Sequence, residues 1–252
     1  MYDIEYHESF KYEDTHWWFL TRDRMVFDII DQRSLHFHRK LDLFDVGCGT
    51  GGLLSRCKNH PSIGNFSGCE PNEVGLHYLK KRNLKAIQGG VDDLHKIEEH
   101  FDVVTCLDVL YHKNVKPDVA LTSIRNLLRD NGILIVNVAA IPQLSGRHDI
   151  RDQGARRFLK SGLNQLLKNS GYTVETLRYW NMFLTPPIWI VRFLQKTFPL
   201  KKIDTGSSEI RLPNKFINKS LITLLAFEQR LSRKINYPFG CSLFAVAQKS
   251  HS

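Results

Sequence analysis

The sequence is poor in the features that mark secreted, metal-binding or membrane-spanning chains. Its five cysteines, Cys48, Cys57, Cys69, Cys106 and Cys241, are odd in number and none stands in a C-x-x-C pair. That pattern fits free thiols in a reducing cytosol better than a disulfide scaffold or a zinc site. The first ten residues, MYDIEYHESF, carry acids and no apolar run, so no secretory signal is expected. The most apolar stretch, MFLTPPIWIVRFL, is broken by Pro186-Pro187 and Arg192 and falls short of the ~20 residues that cross a bilayer. No internal repeat and no low-complexity segment is visible.

What is present is an ordinary globular composition with an unusual placement of charge. With 252 residues, 42% hydrophobic and 24% charged, the chain is neither a disordered tail nor a coiled coil. It is long enough for one α/β domain with a sizeable core, or for two small domains. The net charge is +9. Up to Ala140 there are 17 Lys+Arg and 20 Asp+Glu, giving −3; from Ile141 onward there are 18 and 6, giving +12. A basic lobe on a near-neutral half points to an anionic partner: a phosphate-bearing substrate, an acidic membrane surface or nucleic acid. A solvated face that only aids solubility would give the same count.

Along the chain, Trp17, Trp18 and Phe19 precede Met25, Val26, Ile29 and Ile30 at helical spacing, which predicts a helix packed onto the rest of the domain. From Leu41 the pattern changes to short apolar runs, LDLFDV, FSGCE, KAIQ, FDVVTCL and GILIVNV, joined by stretches long enough for crossover helices. This is the pattern of a parallel sheet covered on both faces. Asn131-Gly132 is expected to end a helix over Leu121–Arg129, and Gly171 one over about Leu159–Lys168. Strands are expected over Thr173–Tyr179 and Ser242–Gln248. The organisation is then a helical cap over 1–40 and an α/β domain over 41–252, with a basic, apolar helical insert at 180–239. After Pro186-Pro187, Ile188, Val191, Arg192 and Gln195 form a short amphipathic helix that suits either a membrane surface or a lid over the core. A second helix, Leu221–Leu231, is expected to pack internally.

The strongest motif is Asp45-Val46-Gly47-Cys48-Gly49-Thr50-Gly51-Gly52, between the first strand and a helix. Glycines here let the backbone turn tightly and approach a nucleotide-like ligand. Gly47, Gly49 and Gly52 fit the dinucleotide G-x-G-x-x-G, and Gly47, Gly49 and Gly51 fit the G-x-G-x-G of S-adenosylmethionine (SAM) sites. Asp45 discriminates between them, because an acid there repels a pyrophosphate but accepts hydrogen bonds from a cationic amino-acid end. Glu70 ends the second strand, where a carboxylate can bind ribose hydroxyls of either cofactor. Gly89 to Leu94 forms a loop placed to border the adenine, and Cys106 to His112 lies at the carboxyl edge of the sheet.

In this order the motifs DVGCGTG, Glu70, FDVVTCLDVLYH, LLRDNGILIVNV and FGCSLFAVAQK resemble the class I SAM-dependent methyltransferases. The aromatic HWWF segment is similar to that of bacterial small-molecule and glycolipid-pathway members. The resemblance implies a Rossmann-like α/β fold with a seven-stranded sheet, its last strand antiparallel, helices on both faces and a helical insert before the last strand. It implies SAM contacts at Asp45, Gly47, Cys48, Gly49, Gly51, Glu70, Val91, Asp92 and Leu107. Trp18 and Arg22 would help close the pocket, Arg22 as partner of the methionine carboxylate, against the plainer reading of core tryptophans and a surface arginine. The family often carries an acid where Gly90 stands; Asp92 or a backbone contact would take its place at the adenine amino group. The stretch Ile141 to Asp149, with Arg156-Arg157-Phe158, is similar to a P-x-x-L-x-S-x-H-D and R-R-Y/F pattern of methyltransferases of glycan, lipid and secondary-metabolite pathways.

A hydroxyl acceptor benefits from a base, and histidine suits that work. His148, with Asp149 beside it, is the first candidate and His112 the second, each against a structural hydrogen-bonding role at a loop. Arg156 and Arg157 are candidates for a substrate phosphate or carboxylate, or else surface charge at a helix start. The expected function is methyl transfer, at oxygen, to a small-molecule, glycan or lipid-linked acceptor, in the cytoplasm or at the inner face of the membrane. A catalytically silent SAM-fold protein that binds a membrane or a partner is the alternative. A nicotinamide-dependent oxidoreductase is disfavoured by Asp45. Nucleic acid is a weaker partner, since Asp108-Val109-Leu110-Tyr111 stands where base-amino methyltransferases often carry N/D-P-P-Y/F, and no RNA-binding module is visible.

Overall fold

Alternating apolar strands and amphipathic helices build a seven-stranded sheet in the order β3-β2-β1-β4-β5-β7-β6. The computed structural model describes residues 3–144, 156–197 and 210–250. In it the strands are β1 Leu41–Val46, β2 Ile63–Glu70, β3 Ala86–Gln88, β4 Phe101–Leu107, β5 Leu128–Ala139, β6 Tyr172–Trp180 and β7 Ser242–Lys249. The helices are α1 Asp3–Tyr12, α2 Trp17–Phe37, α3 Gly52–Cys57, α4 Glu73–Lys81, α5 Pro117–Leu127, α6 Lys160–Asn169, α7 Thr185–Thr197 and α8 Lys215–Ser232. β1 pairs in parallel with β2 and β4, whereas β7 runs antiparallel to both β5 and β6. The chain winds from β1 to β3 in one direction and from β4 outward in the other. The order therefore reverses between β1 and β4, where open α/β sheets form a crevice at the carboxyl ends of their strands.

Both sheet faces are covered, and strand parity decides what each side chain meets. Phe44 and Val46 of β1, Val104 and Cys106 of β4, and Leu134, Val136 and Val138 of β5 enter one core with Leu121 and Ile124 of α5 and Leu163 and Leu167 of α6. Leu41 and Leu43, Val103 and Leu107, and Ile133 and Ile135 enter the other, with Met25, Val26 and Ile30 of α2, Leu53 and Leu54 of α3 and Leu225 of α8. Burial on both faces is why these strands read as continuous apolar runs.

The aromatic segment begins the expected helix, α2, which follows a separate first helix, α1, and a break at Glu13–His16, where the His16 side chain accepts from Trp18 N. Two local expectations are corrected. The helix expected over Leu121–Arg129 ends at Leu127, and Leu128 already pairs with Phe101. Asn131, not Gly132, takes the left-handed backbone there (φ 64°), a conformation asparagine tolerates, within an irregularity of the β4–β5 ladder. The helix expected to be internal, Leu221–Leu231, extends over Lys215–Ser232 as α8 and is two-sided. It buries Leu225, Glu228 and Gln229 and leaves Phe216, Ile217, Leu224 and Phe227 exposed.

Candidate active site

The chain leaves β1 at Asp45-Val46 and enters α3 through the glycine-rich turn. Gly49 has φ +58°, and nothing lies within 4 Å of where its Cβ would be, so bare backbone faces open space. Gly51, with φ +87°, serves packing instead: a Cβ there would come within 2.5 Å of Leu84 Cδ1 and 2.8 Å of Leu79 Cδ2.

Asp45 is buried at the floor of this crevice, and Thr105 Oγ1 donates to its Oδ1 at 2.6 Å. Burial pushes the Asp45 carboxyl up to about 7, against the opposing pull of the Thr105 bond and the Arg22 charge. Among the described residues only Thr105 donates to this side chain, so a cationic ligand group would relieve an uncompensated carboxylate. Glu70, also buried, is held more completely. Its Oε1 accepts from Tyr6 Oη at 2.7 Å and Asn72 N at 2.9 Å, and its Oε2 from Gly49 N at 2.9 Å.

Glu13 closes the other side. Thr50 Oγ1 donates to its Oε1 at 2.6 Å and Arg82 Nη2 pairs with the same oxygen at 2.9 Å. Burial raises the Glu13 carboxyl to about 7, opposed by these two partners. Its carboxylate lies so close to Gly52, the first residue of α3, that a Cβ on Gly52 would stand 2.6 Å from Glu13 Cδ. Dinucleotide folds place a pyrophosphate at this helix start. Here an acid already occupies it, which reinforces the exclusion argued from Asp45.

A hydrogen-bonded chain ties the two halves of the crevice. Trp180 Nε1 donates to Asn137 Oδ1, and Asn137 Nδ2 donates to Asp108 Oδ1, both at 2.8 Å. Arg22 Nη1 donates to Asp108 Oδ2 at 3.0 Å and Arg22 also pairs with Asp23, which in turn pairs with Arg56. Trp18 stacks on Trp180 with ring centroids 4.7 Å apart. The network holds Asp108 in a left-handed conformation (φ 62°) at the end of β4, a strained position of the kind found at functional sites.

One cavity of about 850 Å³ gathers most of the expected residues. Its cofactor side is lined by Asp45, Gly47, Cys48, Gly49 and Glu70, with Val91, Asp92 and Leu107 beyond the third and fourth strands and Trp18 and Arg22 from α2. His112 and Arg157 line its other end. Gly51 is not part of the described lining. Neither is Arg156, whose Nη1 donates to Val115 O at 3.1 Å, so the arginine pair divides and only Arg157 reaches the cavity. Asp92 is exposed at the rim, while its neighbour Asp93 accepts from Gly90 N at 3.0 Å. His148 and Asp149 lie outside the described residues.

Three lining residues, Tyr6, Glu13 and Asn181, lie beyond the reach of the sequence motifs, and a fourth, Asp108, stands within a motif that assigns it no role. Asp108 carries a signal, as the acid that ends the fourth strand. Tyr6 and Glu13 carry none, because their roles depend on where α1 docks. Asn181 is 1% exposed, has φ 63°, and its Oδ1 finds no donor among the described residues.

Residues 44–134 match a family model described as a methyltransferase domain. The ubiquinone biosynthesis O-methyltransferase of Rickettsia akari is 27% identical over 117 residues, covering 43% of this chain and 45% of that protein. The fatty-acid O-methyltransferase of Mycolicibacterium smegmatis is 26% identical over 140 residues, covering 54% and 48%. The chain thus spans about half the length of these two relatives. The crystal structure of a plantazolicin methyltransferase in complex with a monoazolic desmethylPZN analogue and S-adenosylhomocysteine shares the fold, with a TM-score of 0.60 at 15% identity over 98% of this chain and 89% of that one. Sheet order, glycine turn and paired carboxylates agree with this match, and the chain is an enzyme carrying a SAM-dependent methyltransferase domain at residues 44–134.

Proposed function

We propose that the enzyme transfers the methyl group of SAM to an oxygen of a small, anionic acceptor, glycan- or lipid-linked, as in the small-molecule and glycolipid-pathway members with an HWWF-like segment. The observation that carries this reading is the single cavity running from Glu70 to Arg157. Its volume, about 850 Å³, lies in the range of small-molecule sites. The two O-methyltransferase relatives support oxygen as the acceptor atom. The +12 charge of the half that follows Ala140 supports an anionic acceptor, and the five free thiols suit a cytoplasmic enzyme.

SAM supplies a methyl carbon activated by its sulfonium. In this reading Asp45 accepts from the cationic amino group, Arg22 and Trp18 close over the amino-acid end, and Glu70 takes the ribose hydroxyls. Val91 and Leu107 flank the adenine, with Asp92 at its amino group. The protein's main contribution is positioning, because the transfer needs an acceptor lone pair held in line with the methyl carbon. Arg157 binds the acceptor's anionic group, and Asn181 Oδ1 accepts from an acceptor hydroxyl. His148 with Asp149, or His112 within the cavity, takes the hydroxyl proton. Incubation with SAM and candidate acceptors or extracts, followed by mass spectrometry, should give S-adenosylhomocysteine and a product heavier by one methylene. No S-adenosylhomocysteine from any extract would count against the proposal.

A further inference from the structure

Outside the cavity, the least explained surface among the described residues is that of α7 and α8. Beyond its first turn α7 exposes Trp189, Ile190, Val191, Phe193 and Leu194, each about half exposed, and the Trp189 and Phe193 rings stack on each other at 5.6 Å. At 100° per residue, Phe216, Leu224 and Phe227 of α8 share one outward stripe, opposite Leu225 and Gln229. Phe216 is 81% and Phe227 58% exposed. On each of the two helices this is a cluster of exposed apolar side chains and not a scattered residue, and such a patch on a folded protein marks a contact.

Charge identifies what it contacts. Lys215, Lys219 and Arg230 are exposed along one edge of the α8 stripe. Across α7 and α8 the sole acid is Glu228, which is buried and accepts from Met182 N and Phe183 N at 3.0 Å each. The exposed faces of these two helices therefore combine aromatic and aliphatic side chains with cations and carry no acid of their own. A second copy would bring like charges together across a two-fold contact. An anionic bilayer satisfies both halves of the pattern: apolar rings enter the headgroup–acyl boundary while lysines and arginines stay at the phosphates. No helix among the described residues is long and apolar enough to cross a membrane, so the contact lies on the surface.

We propose that α7 and the outward face of α8 dock the enzyme on an anionic membrane surface. The same elements adjoin the cavity, which Ile188 of α7 and Arg211, just before α8, help to line. Docking stands on its own; its consequence, that the methyl acceptor is lipid-linked and enters from the bilayer, rests on the methyl-transfer reading.

Flotation of the full chain with phosphatidylcholine vesicles, with and without about 30% phosphatidylglycerol, tests it. Binding should be at least ~10-fold tighter to the anionic vesicles and should weaken with salt. The double variant Phe216→Ser/Phe227→Ser should bind at least ~10-fold more weakly. Lys215→Glu/Lys219→Glu should lose the preference for anionic lipid. Both should keep the wild-type thermal shift with SAM, which establishes that they fold. Equal binding to the two vesicle types, no binding, or serine variants that bind like wild type would overturn the proposal. So would a dimer in light scattering that the serine variants dissolve, since a second copy would then cover this face. A wild-type chain that SAM fails to stabilise would strike the methyl-transfer reading and leave the vesicle result standing.

Discussion

Replacing Asp45 by asparagine removes one buried charge while leaving the Thr105 hydroxyl a carbonyl oxygen to bond. In the ligand-free enzyme burial holds the carboxyl at about 7, so near neutral pH it is divided between neutral and ionised forms. The cationic amino end of SAM needs the ionised form. A tenfold excess of the neutral form at about pH 6 then raises the apparent Kd for SAM roughly tenfold over its value at about pH 8. The sign is fixed: affinity falls as pH falls. The substituted amide cannot ionise, and losing a charge-assisted hydrogen bond costs about 1.5–3 kcal/mol, or roughly 10- to 150-fold in Kd. Isothermal titration across this pH range should therefore show Asp45→Asn both weaker and flatter than wild type. Because the folded-state value is raised, Asp45 stabilises the free enzyme below the ordinary carboxylate range and loses that contribution as pH rises through about 7. Glu13 is raised to about 7 as well, so Glu13→Gln is the control and should retain most of the slope in SAM affinity. Wild-type affinity with an unchanged slope in Asp45→Asn would refute the reasoning.

The two glycines of the turn should fail differently. Gly51→Ala forces a Cβ onto Leu84 and Leu79 at a left-handed φ and should cost about 2–4 kcal/mol, roughly 5–15 °C in melting temperature. Gly49→Ala meets open space, so it should cost only about 1 kcal/mol of stability but weaken SAM binding more than tenfold, as calorimetry of the two variants would show. Trp180→Phe keeps the stack with Trp18 but leaves Asn137 Oδ1 without its donor, at a cost of about 1–3 kcal/mol in urea unfolding. Once an acceptor is identified, Arg157→Ala should raise its KM while Arg156→Ala leaves it nearly unchanged, because only Arg157 lines the cavity.

The sheet and its cofactor edge are legible in the sequence because local chemistry specifies them. β1 and β4 are buried on both faces and announce it in composition, and Asp45 and Glu70 sit at the ends of β1 and β2, with Gly49 in the turn that follows β1. Gly51 matches the motif equally well, yet its nearest neighbours are leucines of the α4 region, a contact between segments that spacing cannot reveal. Tyr6 and Glu13 are illegible for the same reason: each meets its partner, Glu70 or Thr50, only after α1 has docked. The outward face of α8 stays hidden while its apolar residues are taken as one run. Sorted by helical angle, they divide into a buried side at Leu225 and an exposed side at Phe216 and Phe227.

The docking of the N-terminal segment also sets an order of assembly. Trp17 N donates to Asn218 Oδ1 at 3.0 Å and Asn218 Nδ2 to Thr15 O at 2.8 Å, across 201 and 203 residues of chain, and Gln229 Nε2 reaches Thr21 O across 208. During synthesis the first helices emerge from the ribosome long before the residues that pin them. The sheet's inner strands, β1, β2 and β4, lie close together in the chain and can pair early, and Glu13 and Arg22 find Thr50, Arg82 and Asp108 in the same part of the chain, while the bonds from α8 that pin the start of α2 form last. A nascent chain stopped before Lys215 would hold the glycine turn but lack the bonds of Asn218 and Gln229 to the N-terminal segment, so the docking of that segment is completed only when the last part of the chain has been made.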